Sequence, residues 1–113
     1  MLVLNRFVIP PDTQDEFVGR ARDALAALAD RPGYRSGRLT RALDDPAHWT
    51  LVTEWESVGA YRRALGGFEV KVRATPLLAQ SVNAPSAFET LAWAEPGGPV
   101  VTEASDRAAE PGR

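Results

Sequence analysis

The chain has 113 residues, a formal net charge of −2 and 44% hydrophobic residues, which is typical of a single globular domain. Its Lys and Arg residues are spread along the sequence instead of forming a basic cluster, so nucleic acid is not expected as a partner. The absence of cysteine excludes a disulfide scaffold, a thiol nucleophile and an iron–sulfur cluster.

The N-terminal residues indicate neither a secretion signal nor a membrane anchor. The apolar run that starts at Met1 is short and is interrupted at Arg6, which does not fit a signal peptide. No segment approaches the roughly 20 apolar residues that are needed to cross a bilayer. A cytoplasmic location without a membrane partner is therefore expected.

The N-terminal part of the chain predicts a strand followed by a helix. Residues 2–9 are rich in β-branched and aromatic residues and stop at two prolines, as expected of a strand. Thr13 and Glu16 then have the spacing of a capping box, and apolar residues recur at helical spacing after them. The Pro-Gly pair at residues 32–33 is predicted to end this helix.

A hairpin is predicted in the middle of the chain. Its strands are residues 34–43 and 49–55, and the segment between them contains two aspartates and a proline, which favour a turn. Because side chains alternate along a strand, one face of the second strand should carry an apolar set with a single hydroxyl. This set is Trp49, Leu51, Thr53 and Trp55.

Two short helices and a last strand are predicted after the hairpin. Ser57 is placed to cap a helix that ends at Gly66-Gly67. A second helical stretch begins at Phe68 and is interrupted where Thr75 can cap a final turn opened by proline. Residues 86–93 are predicted to form the fourth strand.

The element order predicts one domain and a tail. Residues 1–94 give the order β-α-β-β-α-β, which is that of a ferredoxin-like α+β fold with an antiparallel sheet covered by helices on one face. Residues 95–113 contain hardly any large apolar side chain, so they are predicted to be a flexible C-terminal tail.

The second face of the predicted sheet is apolar and has no helix to cover it. Exposing apolar surface to water costs about 25 cal/mol per Å². A homodimer in which two copies hide this face against each other is therefore expected. The residues concerned include Leu2, Leu4, Val8 and Val52.

Three sequence elements together resemble the antibiotic biosynthesis monooxygenase family. They are Asn5-Arg6-Phe7, Pro32-Gly33-Tyr34, and the run from Leu51 to Ser57 with the following Ala60-Tyr61. The resemblance extends over residues 1–93 and implies a dimeric α+β barrel. It also implies a monooxygenase that oxidises a hydrophobic aromatic, polyketide-like small molecule with O₂ and without a cofactor or metal.

One branch of this family forms quinones, and it implies a set of catalytic residues. It places an asparagine and a tryptophan four residues apart on the third strand and a tyrosine on the next helix. Trp55 and Tyr61 match the last two, whereas Leu51 replaces the asparagine and Asn5 on a neighbouring strand would supply an amide. The resemblance therefore implies catalytic roles for Asn5, Trp55 and Tyr61, with the alternative that both aromatic residues only pack in the core.

The chemistry of such an enzyme assigns a role to each residue. Asn5 would hold a substrate oxygen or a peroxide, the Trp55 indole N–H would donate to an enolate, and Tyr61 would position the substrate or transfer a proton. Four further residues form the expected substrate-binding set. They are Phe17, Leu51 and Phe68 in the cavity, and Arg73, which is either a solvated helix residue or a contact for an anionic substrate.

Two other interpretations remain open. A non-catalytic module for small-molecule binding or dimerisation is favoured by Leu51, Ala64 and Ala74, which stand where known branches place functional side chains. A haem-binding or haem-degrading protein is the less favoured one, although Asn5 matches that branch. Its iron ligand would fall at Ala74, and the single histidine, His48, lies in the predicted turn.

Overall fold

The computed structural model describes residues 1–105, and within them an antiparallel four-stranded sheet has the strand order β2-β3-β1-β4. The predicted ferredoxin-like α+β fold is confirmed by this order. The strands are β1 (Leu2–Val8), β2 (Tyr34–Arg41), β3 (His48–Trp55) and β4 (Ala87–Phe88). The helices are α1 (Gln14–Ala29), α2 (Val58–Leu65), α3 (Phe68–Arg73) and α4 (Thr75–Leu78).

The core lies between one face of the sheet and the helices. Alternate residues of β3 are buried, as the sequence predicts for Trp49, Leu51, Thr53 and Trp55. On β1 the buried residues are Val3 and Phe7, which lie on the same face because side chains alternate along a strand. The helical spacing of apolar residues in α1 places Phe17, Ala21, Ala24 and Leu28 against this face.

The capping box predicted for Thr13 and Glu16 is wrong. Residues Pro11–Thr13 form a short 3₁₀ turn, and Thr13 has φ −113° and ψ 7° instead of the extended conformation of a capping residue. Its hydroxyl donates to the carbonyl oxygen of Pro10 at 3.1 Å. The two prolines therefore shape the helix start more strongly than the capping spacing does.

The caps predicted for the two later helices have different outcomes. The Ser57 hydroxyl accepts a hydrogen bond from the Ala60 N–H at 3.0 Å, which confirms the predicted cap of α2. Thr75 is the first residue of α4 and not its cap, and its hydroxyl lies 3.4 Å from the Val70 carbonyl oxygen. Because α3 ends at Arg73, only Ala74 separates the two helices, and no extended residue is available to act as a cap.

The strand predicted over residues 86–93 is wrong in its extent. Only Ala87–Phe88 pairs with β1, whereas β5 (Ala92–Trp93) turns away and pairs with β6 (Val101–Thr102) in a separate two-stranded sheet. Gly97, with φ 71°, lies in the connection between these strands. The predicted boundary at residue 94 falls inside this hairpin and stays a prediction, and residues 106–113 of the predicted tail lie outside the described residues.

The other face of the sheet is open in the single chain, and it combines apolar residues with charged ones such as Arg6 and Glu54. Val8 is 56% exposed and Leu2 is 41% exposed, and Leu4 lies opposite Val52 in the register of β1 and β3. At the edge of the sheet, β2 pairs only with β3 among the described strands. This edge strand carries Arg35, Arg38 and Arg41.

Within residues 1–105, no helix combines the length and the apolar character that a membrane-spanning segment needs.

Candidate functional site

A cavity of about 570 Å³ opens between α2 and the α3–α4 pair, above β1. α2 contributes Tyr61 and Leu65, which are one helical turn apart. Asn5 of β1 is the residue from the sheet. The remaining lining residues are Lys71, Thr75, Leu78 and Ala79, and most of the wall surface is apolar although several of these residues carry a polar group.

One wall of the cavity is a continuous helical face. The residues at positions 71, 75, 78 and 79 are spaced as neighbours on one side of a helix. α3 and α4 act as nearly one helix here, because Ala74 N–H donates to the Val70 carbonyl oxygen at 2.8 Å and Leu78 N–H donates to the Ala74 carbonyl oxygen at 3.0 Å. The buried side of the same pair is formed by Val70, Ala74 and Leu77, which anchors the wall on the core.

Asn5 provides the only amide side chain of this cavity. It lies on the helix-covered face of β1, between Val3 and Phe7, and its backbone is opposite Leu51 in the register. In the part of the chain that the structure describes, no residue forms a hydrogen bond with its side chain. A half-buried amide without a protein partner retains its donor and acceptor for a ligand.

Tyr61 places a phenol in the cavity wall. Its ring packs against that of Trp55, with centroids 5.5 Å apart and planes tilted by 53°. Burial raises the pKa of the Tyr61 hydroxyl above its ordinary value, so the group is neutral at physiological pH. A neutral phenol can both donate and accept a hydrogen bond at the cavity.

Trp55 lies behind Tyr61 and does not line the cavity. Its side chain is fully buried, and the indole N–H donates to the Thr53 hydroxyl at 2.8 Å. The Tyr34 ring also contacts the indole in an edge-on arrangement, with centroids 5.4 Å apart. The donation to an enolate that the sequence predicts for Trp55 therefore has a competing acceptor already in place in Thr53.

The four residues of the predicted substrate-binding set do not line this cavity. Phe17 packs in the core against Phe7 and Trp49, and Leu51 is also buried in the core. Phe68 is 75% exposed at the start of α3. Arg73 lies 3.9 Å from carboxylate oxygens of both Asp23 and Glu69.

The residues considered above as haem ligands have structural roles in this fold. Ala64 and Ala74 are buried among core residues, and His48 lies at the start of β3 with Nε2 3.2 Å from an Asp45 carboxylate oxygen. Among residues 1–105, no three His, Cys, Asp or Glu side chains are grouped as a metal site would require. These residues do not fit an axial haem ligand at the cavity.

The sequence did not identify most of the cavity wall. Leu65, Lys71, Thr75, Leu78 and Ala79 were not among the predicted site residues. A signal was present in the spacing of the last four, but the predicted interruption at Pro76 concealed it. Thr53 was also missed, because the partner of a buried indole can only be recognised once the strand face is known to be buried.

A second cavity, of about 530 Å³, lies on another part of the surface. Its lining includes Glu54, Glu56, Glu95 and Glu103 together with Arg35 and Trp93. These carboxylates are strongly hydrated and do not favour an apolar aromatic ligand. The cavity beside Asn5 and Tyr61 is therefore the candidate functional site.

Comparison with known proteins relates the chain to a family. The family model for antibiotic biosynthesis monooxygenase matches residues 1–72. Among solved structures, the chain is similar to a mutant of SnoaB, a cofactor-independent oxygenase from Streptomyces nogalater, with 28% identity and a TM-score of 0.63. That likeness covers 72% of this chain and 82% of the SnoaB chain.

Two curated Streptomyces proteins are similar over part of the chain. The 42.8 kDa protein in the whiE locus of Streptomyces coelicolor is 39% identical over 51 residues, and protein SchA of Streptomyces halstedii is 34% identical over 56 residues. These matches cover 42% and 46% of this chain. The chain spans only 12% and 15% of the lengths of these relatives.

Proposed function

Because the chain belongs to the antibiotic biosynthesis monooxygenase family, we propose that it is a cofactor-independent monooxygenase that oxidises a hydrophobic aromatic small molecule with O₂. The observation that carries this proposal is the cavity, whose surface is mainly apolar and whose lining includes both the free amide of Asn5 and the neutral phenol of Tyr61. The likeness to SnoaB supports the absence of a cofactor. The polyketide-like character of the substrate belongs to the same proposal.

The proposed reaction converts an aromatic methylene next to a ring ketone, as in an anthrone, into a carbonyl. Loss of one C–H proton to water gives an enolate, and its carbon adds O₂ and takes up a proton to form a hydroperoxide. Loss of the second C–H proton with departure of hydroxide breaks the O–O bond and leaves a carbonyl and one water. The substrate supplies all four electrons that reduce O₂, so no external reductant is needed.

The residues of the cavity have matching roles in this proposal. The Asn5 amide donates to the oxygen on which negative charge develops as the enolate forms. Tyr61 donates to the same oxygen or to the peroxide, and its neutral state suits a donor. Trp55 is assigned a positioning role, because its ring fixes that of Tyr61 while its N–H is bound by Thr53.

The apolar walls also serve the chemistry. Leu65, Leu78 and Ala79 surround the ligand with hydrocarbon, which favours an aromatic ring system over a hydrated metabolite. A bound ligand displaces most of the water from the cavity, which strengthens the hydrogen bonds from Asn5 and Tyr61 to the developing charge. The volume of about 570 Å³ is within the ordinary range for a site that accepts a small molecule.

The proposal includes a homodimer formed through the open face of the sheet. A second copy that covers this face removes Leu2, Leu4, Val8 and Val52 from water, and this burial stabilises the dimer. The cavity lies on the opposite, helix-covered side of the sheet, so this contact leaves it open to a ligand. A cytoplasmic location remains part of the proposal on the sequence grounds given above.

The test is oxygen consumption with dithranol, an anthrone, as the substrate. Wild-type protein should consume O₂ above the buffer rate and yield the corresponding anthraquinone, one O₂ per product. Asn5→Ala and Tyr61→Phe should each lower kcat by about 100-fold, the size expected when one donor to developing charge is removed. Absence of oxygen uptake with several anthrones would overturn the proposal.

Matched variants separate a loss of chemistry from a loss of structure. Tyr34→Phe removes a hydroxyl from the other tyrosine that contacts Trp55, and Tyr34 does not line the cavity. Asn83→Ala removes an exposed amide outside the cavity. Both controls should retain wild-type activity, and an equal loss in a control would show that the effect is not specific to the cavity.

A non-catalytic binding module is the second candidate. The observation that favours it is Leu51, which is buried in the core at the position where the quinone-forming branch has an asparagine. This candidate predicts that an anthraquinone binds to the wild type, and that dithranol gives no oxygen uptake. Turnover by the wild type would exclude it.

A further inference from the structure

We propose that Lys71 is the specificity residue of the cavity and selects aromatic ligands that carry an anionic oxygen, a carboxylate or an ionised phenol. Lys71 is the only lysine of the sequence, in which the other twelve basic residues are arginines. It lies in the cavity wall, on α3. The inference deepens the proposed function and rests on it for the aromatic nature of the ligand.

The backbone fixes the base of the Lys71 side chain at the cavity. Lys71 N–H donates to the Gly67 carbonyl oxygen at 2.9 Å, within the first turn of α3. The preceding residue, Val70, is fully buried and ties this turn to the core. A long, flexible side chain therefore starts from a rigid point, and its ammonium group can reach a ligand at the cavity mouth.

The charges around the cavity leave Lys71 without a counter-ion. Arg73, the other cation of α3, has Asp23 and Glu69 as its neighbours, each 3.9 Å away. Lys71 has no ion pair and no side-chain hydrogen bond with any of the residues 1–105. The cavity lining includes no carboxylate either.

The structure favours Lys71 over Arg73 as the contact for an anionic ligand. Arg73 was one candidate for an anionic substrate, but it does not line the cavity and its charge is balanced by two carboxylates. Lys71 lies two residues earlier, in the wall, where its exposed side chain has no counter-ion among residues 1–105. An anionic oxygen would satisfy this charge, and the Asn5 amide would bind a second polar atom of the same ligand.

Binding of two anthraquinones that differ in charge tests the proposal. The probes are anthraquinone-2-carboxylate and the neutral anthraquinone-2-carboxamide, and their dissociation constants are measured by calorimetry at low salt. Wild type should bind the carboxylate about two- to fivefold more tightly, the factor expected for an ion pair with an exposed lysine. Lys71→Met should lose this preference while it keeps its affinity for the carboxamide, and Lys71→Arg should retain the preference.

The control is Arg22→Met, which changes the net charge equally at an exposed position of α1 that does not line the cavity. It should keep the preference of the wild type. Equal binding of the two probes by the wild type, an unchanged preference in Lys71→Met, or no binding of either probe would overturn the proposal.

This measurement is independent of turnover, because both probes are already quinones. A protein that prefers the carboxylate through Lys71 but consumes no O₂ with dithranol would support the Lys71 inference and contradict the monooxygenase. Oxygen uptake with dithranol together with equal binding of the two probes would support the monooxygenase and contradict the Lys71 inference. The two failures are therefore distinguishable.

Discussion

The indole N–H of Trp55 donates to the hydroxyl oxygen of Thr53 at 2.8 Å, and both side chains are buried on the same face of β3. Residues two apart on a strand point to the same side, so this bond links adjacent positions of one face. It fixes the indole ring against which Tyr61 packs. The hydroxyl of Thr53 thus acts on the cavity through two aromatic rings, although Thr53 does not line it.

Replacing Thr53 by valine tests this arrangement. Thr53→Val keeps the shape of the side chain but leaves the buried indole N–H without an acceptor, which should lower the free energy of unfolding by about 1–3 kcal/mol. Urea denaturation measures the change. Thr53→Ser retains the hydroxyl and is the matched control, so a loss of equal size in both variants would contradict the role of the hydrogen bond.

The raised pKa of Tyr61 predicts a loss of stability at alkaline pH. Burial raises the folded-state pKa above the unfolded value of about 10, so above that pH the unfolded chain releases a proton that the folded chain retains. The free energy of unfolding should therefore fall as the pH rises from about 10 toward the folded pKa, and it should be unaffected below about pH 9.

Two variants separate the contribution of Tyr61 to this alkaline loss of stability from that of Tyr34. Burial also raises the pKa of Tyr34, so both tyrosines are compared. Tyr61→Phe should flatten the alkaline fall in unfolding free energy, and ultraviolet absorbance of tyrosinate should show one late titration fewer. A slope in Tyr61→Phe equal to that of the wild type would assign the effect to Tyr34, which the Tyr34→Phe variant checks.

Substitution by alanine should change the stability of the fold in opposite directions at Gly33 and at Gly19. Gly33 has φ 87°, and an added Cβ would lie 2.5 Å from the Ala60 Cβ, so Gly33→Ala should destabilise the fold by about 1–3 kcal/mol. Gly19 lies inside α1 with open space around it, and Gly19→Ala should stabilise by about 0.5–1 kcal/mol. Thermal unfolding of the two variants compares them, and a neutral Gly33→Ala would contradict the close contact.

The proposed dimer predicts a change of oligomeric state upon mutation of the open sheet face. Leu4 and Val52 are opposite each other in the centre of this face, and Leu4→Lys would bring charges into the contact between two copies. Sedimentation at micromolar concentration should show a dimer for wild type and a monomer for this variant. Leu43→Lys, at a fully exposed position of the β2–β3 turn, is the control that should remain dimeric.

Most of the fold could be predicted from the sequence because the signals that define its elements come from residues close together in the chain. The alternation along β3 determines which face is buried, and the Ser57 cap depends on residues three apart. The strand at residues 86–93 was mispredicted because pairing partners are not local. β5 pairs with β6, and that choice depends on residues that composition alone assigned to a tail.

The candidate site was less accessible to prediction. Asn5 and Tyr61 were identified through the family resemblance, and both line the cavity. Lys71 and Thr75 lie on a wall made of two short helices whose continuity depends on backbone hydrogen bonds around Ala74. Phe68 has the composition of a cavity residue, but the direction of α3 turns its ring toward solvent. Which side of a helix faces a cavity is decided by tertiary packing.

The arginines on β2 oppose edge-to-edge aggregation of copies of this chain. An edge strand presents unpaired backbone groups that can recruit another strand, and charged side chains oppose such growth. Two β2 edges side by side would place Arg35, Arg38 and Arg41 of one copy close to the same cations of another. Repulsion there disfavours fibre-like extension of the sheet and leaves the open face, with Leu4 and Val52 at its centre, as the surface where self-association meets less opposition.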